Sequence, residues 1–191
     1  MSAYKFRIYP SKAQEKELNH HLWIEKNLWN TLLEKTRERY EKEKKFLTIN
    51  EMGIIVKDSG LYSQASQSVF RNLDKSLKAK VRAKKRGVKW GFPRFKSFDR
   101  MRSILYPQGG FWLNEKLKVT PFGEIPIVQH RIVKGEVKTL TLKKEASGKW
   151  YAILTVEQEV SSPKKNDGPQ VGMDLGLITL ATLSDGTKIT N

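Results

Sequence analysis

Residues 4–9, Tyr-Lys-Phe-Arg-Ile-Tyr, alternate aromatic or aliphatic side chains with basic ones until Pro10 and Ser11 interrupt them, which predicts a short strand. Ser11 then opens a helix. Gln14 completes a capping box with it, and Leu18, Leu22, Trp29, Leu32 and Leu33 recur at helical spacing on one face. The pattern carries this helix to about Lys45, with Glu38 to Lys42 and Glu41 to Lys45 as i,i+4 pairs on its solvated side. Thr48 and Glu51 repeat the capping box before Met52, Ile55 and Val56, a second, short helix closed by Asp58-Ser-Gly60. A third begins near Ser63.

The third helix is the most informative. At about 100° per residue from Arg71, the residues Arg71, Lys75, Lys78, Arg82, Lys85 and Lys89 fall within about 40° of one line. Ser66, Val69, Phe70, Leu73, Leu77 and Val81 occupy the opposite arc, so the apolar side is expected to pack inward and the basic stripe to face out. Gly87 offers a C-cap, which leaves Lys89 just past the helix end. Solvated faces usually interleave Glu with Lys. Here only Asp74 intervenes, which favours phosphate binding over a merely solubilising face. In Trp90-Gly-Phe-Pro-Arg-Phe-Lys-Ser-Phe98, aromatics alternate loosely with cations and Pro93 forbids helix. Such a segment can stack on bases and pair with phosphates, with Arg94 and Lys96 as the cations, or its aromatics can pin a loop to the core. Both uses are compatible.

From Arg102 the texture becomes β. Arg102–Tyr106, Phe111–Leu113, Leu117–Val119 and Ile125–Val128 are short extended runs, and Val137–Lys143 with Lys149–Glu157 form a hairpin across Glu-Ala-Ser-Gly. Strands at this spacing suggest a small barrel or sandwich. Ser161–Pro169 reads as a linker. Beyond it, Val171–Gly176 reads as a buried-type strand carrying Asp174, Ile178–Leu183 as a second, and Asp185-Gly186 as a turn toward Thr187–Thr190. A carboxylate within a buried strand needs pairing, hydrogen bonds or a metal, although a turn-capping or sheet-edge role also fits Asp174.

Composition narrows the function. The chain has 191 residues and a formal charge of +16, and at 38% hydrophobic and 10% aromatic it can bury a core. The charge is concentrated: residues 1–70 carry 12 basic and 9 acidic groups, 71–102 carry 13 and 2, and 103–191 carry 11 and 9. That distribution marks 71–102 as an electrostatic footprint for nucleic acid. A membrane surface is a poorer match, because the stretch lacks a broad Trp/Leu face. No Cys is present, which excludes disulfides, Cys-ligated zinc and a thiol nucleophile. The three His do not assemble a zinc site. With no window near the ~20 apolar residues of a membrane span and no apolar leader, a cytoplasmic protein without membrane partners is expected.

Several segments in order resemble one family: Tyr4-Lys-Phe-Arg-Ile-Tyr-Pro10, Phe70-Arg-Asn-Leu-Asp-Lys75, Gly91-Phe-Pro-Arg-Phe-Lys96, Ser147-Gly-Lys-Trp-Tyr151, Gly172-Met-Asp-Leu-Gly176 and Leu180-Ala-Thr-Leu-Ser-Asp-Gly186. Together they resemble the transposon-encoded TnpB (OrfB) proteins, RNA-guided DNA endonucleases related to miniature type V CRISPR effectors. The resemblance implies an α+β fold. An oligonucleotide-binding-like β-barrel, the wedge (1–10 and 97–160), carries an inserted helical recognition domain (11–96). After a linker (161–169) come the first strands of an incomplete RNase H-like (RuvC) domain (170–191).

It further implies guide RNA and target double-stranded DNA as partners, and Mg²⁺ as cofactor in a complete protein. Asp174 would then be the first of three metal-binding catalytic carboxylates. By the same local alignment Gln67, and more loosely Gln64, Thr48, Tyr106 and Gln108, would read a short motif flanking the target, since Gln bonds adenine bidentately. The family's remaining catalytic acids and its zinc ribbon do not occur in these 191 residues. Three functional readings follow: the nucleic-acid-binding N-terminal part of such a nuclease, inactive alone; a nuclease-dead regulator; or half of an enzyme completed by a separately encoded C-terminal half.

Overall fold

The computed structural model describes residues 1–158, 168 and 170–190. It is a mixed helix-and-sheet protein in two compact units, Met1–Glu159 and Val160–Asn191. Residues 161–167 and 169 of the expected linker lie outside the described residues. No helix among the described residues is long and apolar enough to cross a membrane.

The first unit begins with β1 (Ser2–Ile8), whose alternation buries Tyr4, Phe6 and Ile8. The helix α1 (Lys12–Glu43) starts at Ser11 with the full capping box. Gln14 Nε2 also donates to the carbonyls of Phe122 and Glu124, at 2.9 and 2.8 Å, which fastens the helix start to a strand turn. Lys44 ends it in the left-handed region. A second capping box, Thr48 with Glu51, starts α2 (Ile49–Val56). Arg39 bridges Glu43 and Glu51, at 3.2 and 2.6 Å, so the ion pairing of this end of α1 runs through Arg39 rather than through the pairs expected at Lys42 and Lys45. Next comes α3 (Ser63–Lys85), closed by Gly87 at φ 73° with Val88 N–H donating to the Ala83 carbonyl.

Eight strands complete the unit: β2 (Ser103–Tyr106), β3 (Phe111–Leu113), β4 (Leu117–Val119), β5 (Gly123–Ile125), β6 (Ile127–Val128), β7 (Glu136–Lys144) and β8 (Trp150–Glu157), together with β1. They form two antiparallel sheets, ordered β2-β7-β8-β1-β6 and β3-β4-β5. The run expected at Ile125–Val128 is two strands in different sheets. Pro126 has no N–H to give a ladder, and its carbonyl instead accepts from Tyr9 N at 2.9 Å where the chain changes sheet.

Two apolar cores result. Phe6, Ile8, Leu140, Leu154 and, from the smaller sheet, Leu117 and Ile125 pack with Leu18 and Leu22 of α1. Trp29, Leu32 and Leu33 of the same helix pack with Met52, Val69, Phe70, Leu73 and Leu77. Val81 is 40% exposed, against expectation, because the last turns of α3 extend beyond the second core.

The second unit is a sheet ordered β11-β10-β9, from β9 (Met173–Leu175), β10 (Thr179–Leu183) and β11 (Lys188–Thr190). Gly186 at φ 89° turns β10 into β11, and Asp185 accepts from Thr187 N at 2.9 Å, which lowers its carboxyl pKa. The buried-type reading of the Asp174 strand is corrected. Met173, Asp174 and Leu175 are all exposed, and only Ala181 is buried among the unit's described residues.

Leu73 has no exposed surface and sits centrally in the helical core. Leu73→Ala should lower unfolding free energy by about 2–5 kcal/mol in urea titrations. A loss well below that range would place the main support of α3 elsewhere.

Candidate nucleic-acid interface

The stripe on α3 emerges as the pattern required. Arg71, Lys75, Lys78, Arg82 and Lys85 are exposed on one side, while Val69, Phe70, Leu73 and Leu77 are buried on the other. Lys89 is exposed beyond the helix end. One charge is partly neutralised, since Lys78 Nζ lies 2.7 Å from Asp74. Arg71, Lys75, Arg82 and Lys85 form no ion pair among the described residues.

The segment that follows is pinned to the core, as one of the two suggested uses requires, and it keeps some side chains exposed, as the other would need. Its backbone is clamped to α1: Trp29 Nε1 donates to the Arg94 carbonyl (3.1 Å), Asn30 exchanges two hydrogen bonds with Lys96 (3.0 and 2.8 Å), and Arg37 donates to the Pro93 carbonyl (2.9 Å). Phe92 docks against Tyr40 and Phe46. Trp90, Phe95 and Phe98 stay 59%, 46% and 44% exposed, beside the exposed cation Arg94. A clamped backbone holding out aromatics and a cation is preorganised for stacking and phosphate pairing.

Lys96 departs from its expected role. Its ammonium lies over the Trp29 ring at 4.0 Å, and burial lowers its pKa. Opposite it is Glu25, which sequence reasoning missed because an acid on an otherwise polar helix gives no signal of burial. Glu25 is 1% exposed, its Oε1 has no hydrogen-bond partner, and burial raises its pKa well above the carboxylate range against the opposing pull of Lys96. Arg37 and Lys80 were also missed. Arg37 stacks on Phe92 and Phe95, and Lys80 donates to the Trp90 carbonyl, so both shape the segment.

The residues expected to read a flanking motif do not converge. Gln67 and Arg71 border a groove of about 580 Å³ between α2 and α3, with Asn50, Gly53 and Ile54 on its other side. Gln64 is half-buried and Gln108 exposed. Thr48 is occupied by its cap: its hydroxyl donates to Glu51 Oε2 (2.8 Å) and accepts from Glu51 N. Tyr106 is fully buried and donates to the Thr120 carbonyl at 2.7 Å, and burial raises its pKa. Its hydroxyl therefore belongs to the core.

Asp174 stands opposite Thr182 in the β9–β10 register. The described residues do not fit the implied Mg²⁺. No group of three or more His, Cys, Asp or Glu comes together among them, and Asp185 is committed to its turn.

The helix-turn-helix domain model of the OrfB/IS605 kind matches residues 1–45. In this fold those residues are β1 and one uninterrupted helix, and α2 follows only after Thr48. InsQ of Escherichia coli (strain K12), a putative RNA-guided DNA endonuclease, is 31% identical over 194 residues, covering 98% of this chain and 48% of that protein. A protein of Streptomyces pristinaespiralis with the same description is 28% identical over 204 residues, covering 99% and 49%. The chain thus spans about half the length of the curated relatives it matches. Among solved structures, a Cas12f1 chain in a cryo-EM complex with sgRNA and target DNA gives a TM-score of 0.49 at 15% identity, covering 99% of this chain and 56% of that one.

Tyr106→Phe should destabilise the chain by about 1–2 kcal/mol and leave oligonucleotide affinity unchanged, measured by denaturant titration and fluorescence anisotropy. Lost affinity at unchanged stability would return Tyr106 to a reading role.

Proposed function

The chain belongs to the OrfB (TnpB) family, and from that premise we propose that it is the nucleic-acid-binding N-terminal portion of an RNA-guided DNA endonuclease, with guide RNA and target double-stranded DNA as partners. The observation that carries this reading is the exposed basic stripe of α3 lying next in sequence to the clamped segment with its exposed Trp90, Arg94 and Phe95. The stripe supplies sequence-independent phosphate attraction and the aromatics supply stacking. The two sheets of the first unit correspond to the wedge barrel, α1 to α3 to the recognition domain, and β9 to β11 to the opening strands of the nuclease domain. Asp174 is the first metal-binding carboxylate of that domain, and its chemistry needs acids from outside these residues. Gln67, beside the stripe and at the rim of the α2–α3 groove, is the base-reading residue, with Gln64 and Gln108 as outer contacts.

A nuclease completed by a separately encoded half draws support from the second unit. Leu175, Leu177 and Ile178 are 71%, 95% and 93% exposed, a run of apolar side chains suited to burial against another polypeptide.

If five or six phosphate contacts form, log K should fall against log salt with a slope of about −4 to −5. Reversing Arg71, Lys75, Lys78 and Arg82 to Glu should abolish binding with an unchanged circular dichroism spectrum. Equal affinity in the reversed protein would move the footprint elsewhere.

The purified 191-residue chain, given guide RNA, target and Mg²⁺, should not cut DNA, because two-metal hydrolysis needs acids on both sides of ions about 4 Å apart. Asp174→Ala should leave binding intact. Guided double-strand cleavage that disappears on Asp174→Ala would overturn the assignment.

A further inference from the structure

The five tryptophans divide by what their rings meet. Trp29 and Trp150 are buried, Trp23 stacks on His20 at 5.9 Å, and Trp90 belongs to the segment beside the α3 stripe. Trp112 has no such place. It stands on β3 with 56% of its surface exposed, and among the described residues no aromatic stacking or cation–π contact engages its ring. The strand alternation that turns Phe111, Leu113, Leu117, Val119 and Ile125 inward sets Trp112, Lys118 and Glu124 side by side on the outer face of the smaller sheet. Glu124 is drawn to Lys116 at 3.3 Å, which leaves Lys118, directly across from Trp112, without an ion pair among the described residues.

These four side chains, with Asn114 and Glu115 of the β3–β4 turn, line an open concavity of about 770 Å³. That volume lies within the ~300–1,000 Å³ of small-ligand sites. Gln129 Nε2 donates to the Asn114 carbonyl at 2.6 Å, so the turn is held in place from outside the hairpin. Two lysines and two glutamates balance, and the concavity by itself draws no polyanion from a distance. At short range it offers a flat aromatic face bordered by polar groups. A nucleobase matches it, with an apolar face and polar edges. Bases within a duplex keep their faces in the stack, so the occupant is unpaired. Of the two partners proposed above, guide RNA and double-stranded target, the RNA is the one that presents unpaired bases in loops and ends.

We propose that Trp112 stacks one unpaired base of the guide RNA, with Lys118 on a neighbouring phosphate. The inference rests on nucleic-acid binding by the α3 stripe and adds a second contact on another element. The stripe recruits by charge, and the Trp112 face holds by stacking.

The test is fluorescence anisotropy of the full chain across a salt series with three probes: an RNA hairpin carrying a single-stranded loop, a fully paired RNA duplex and a DNA duplex. Trp112→Ala should weaken binding of the loop RNA by at least about fivefold and leave its salt slope unchanged, because no phosphate contact is lost. Trp112→Phe keeps a ring and should stay within about threefold of the parent. Lys118→Ala should make the slope on the loop RNA shallower by about 0.7, the share of one single-strand phosphate. None of the three substitutions should change affinity for either duplex. The side chain is mostly exposed, so the thermal midpoint of Trp112→Ala should stay at that of the parent, which separates loss of the contact from loss of the fold. Parent-like binding of the loop RNA by Trp112→Ala, an equal loss on the duplexes, an altered slope in Trp112→Ala or an unaltered one in Lys118→Ala would overturn the proposal. The two readings fail differently. A parent chain that binds none of the probes refutes the stripe and this contact with it, whereas a parent that binds the loop RNA and is matched by Trp112→Ala keeps the stripe and loses only the contact.

Discussion

One helix has to serve two cores. The 32 residues of α1 extend about 48 Å. Its N-terminal turns bury Leu18 and Leu22 against the sheets, and its later turns bury Trp29, Leu32 and Leu33 against α2 and α3. Glu25 falls between these two apolar sets. The seam cannot be closed by hydrophobic packing from either side, so it holds a carboxyl, a lysine stacked on Trp29 and open space. A mid-helix acid that would ordinarily sit in water is thereby buried, and its pKa rises.

The same helix decides which cations are free. At its far end Arg39 is engaged by Glu43 and Glu51, and the hydrogen bonds from Thr48 and Arg39 hold the Glu51 carboxyl down at about pKa 2. On α3 the stripe meets only Asp74, which takes Lys78. The residual field is therefore strongest on the outer side of α3. The hydrogen bonds from Trp29, Asn30 and Arg37 fix the adjoining segment by its carbonyls; Phe92 and Lys96 add to the anchoring, while Trp90, Arg94 and Phe98 stay exposed.

Most of the elements were legible along the chain because their signals are local. Both capping boxes, the apolar faces of α1 and α3 and the β7–β8 hairpin with Gly148 at φ 77° depend on residues within a few positions of each other. The readings that failed needed a distant partner. Tyr106 alternates correctly for a strand, yet whether its hydroxyl meets solvent or Thr120 depends on the second sheet. Lys96 carries the same charge as Arg94, two residues before it, yet one lies over Trp29 and the other is exposed. The apolar texture around Asp174 suggested burial, but a strand becomes buried only when another layer covers it, and β9 is exposed on all three residues.

The amino-acid order alone determined where the three helices begin, which of them carries a basic line met only by Asp74, and that most of the charge of +16 is gathered in one short stretch. These are properties of spacing, and spacing is preserved when a chain coils into a helix or pleats into a strand. Tertiary structure alone decided which polar groups lose water. Glu25, Tyr106 and Lys96 are distinguished from their exposed counterparts by neighbours 14 to more than 60 positions away, and desolvation depends on everything that surrounds a group and not on its place in the sequence.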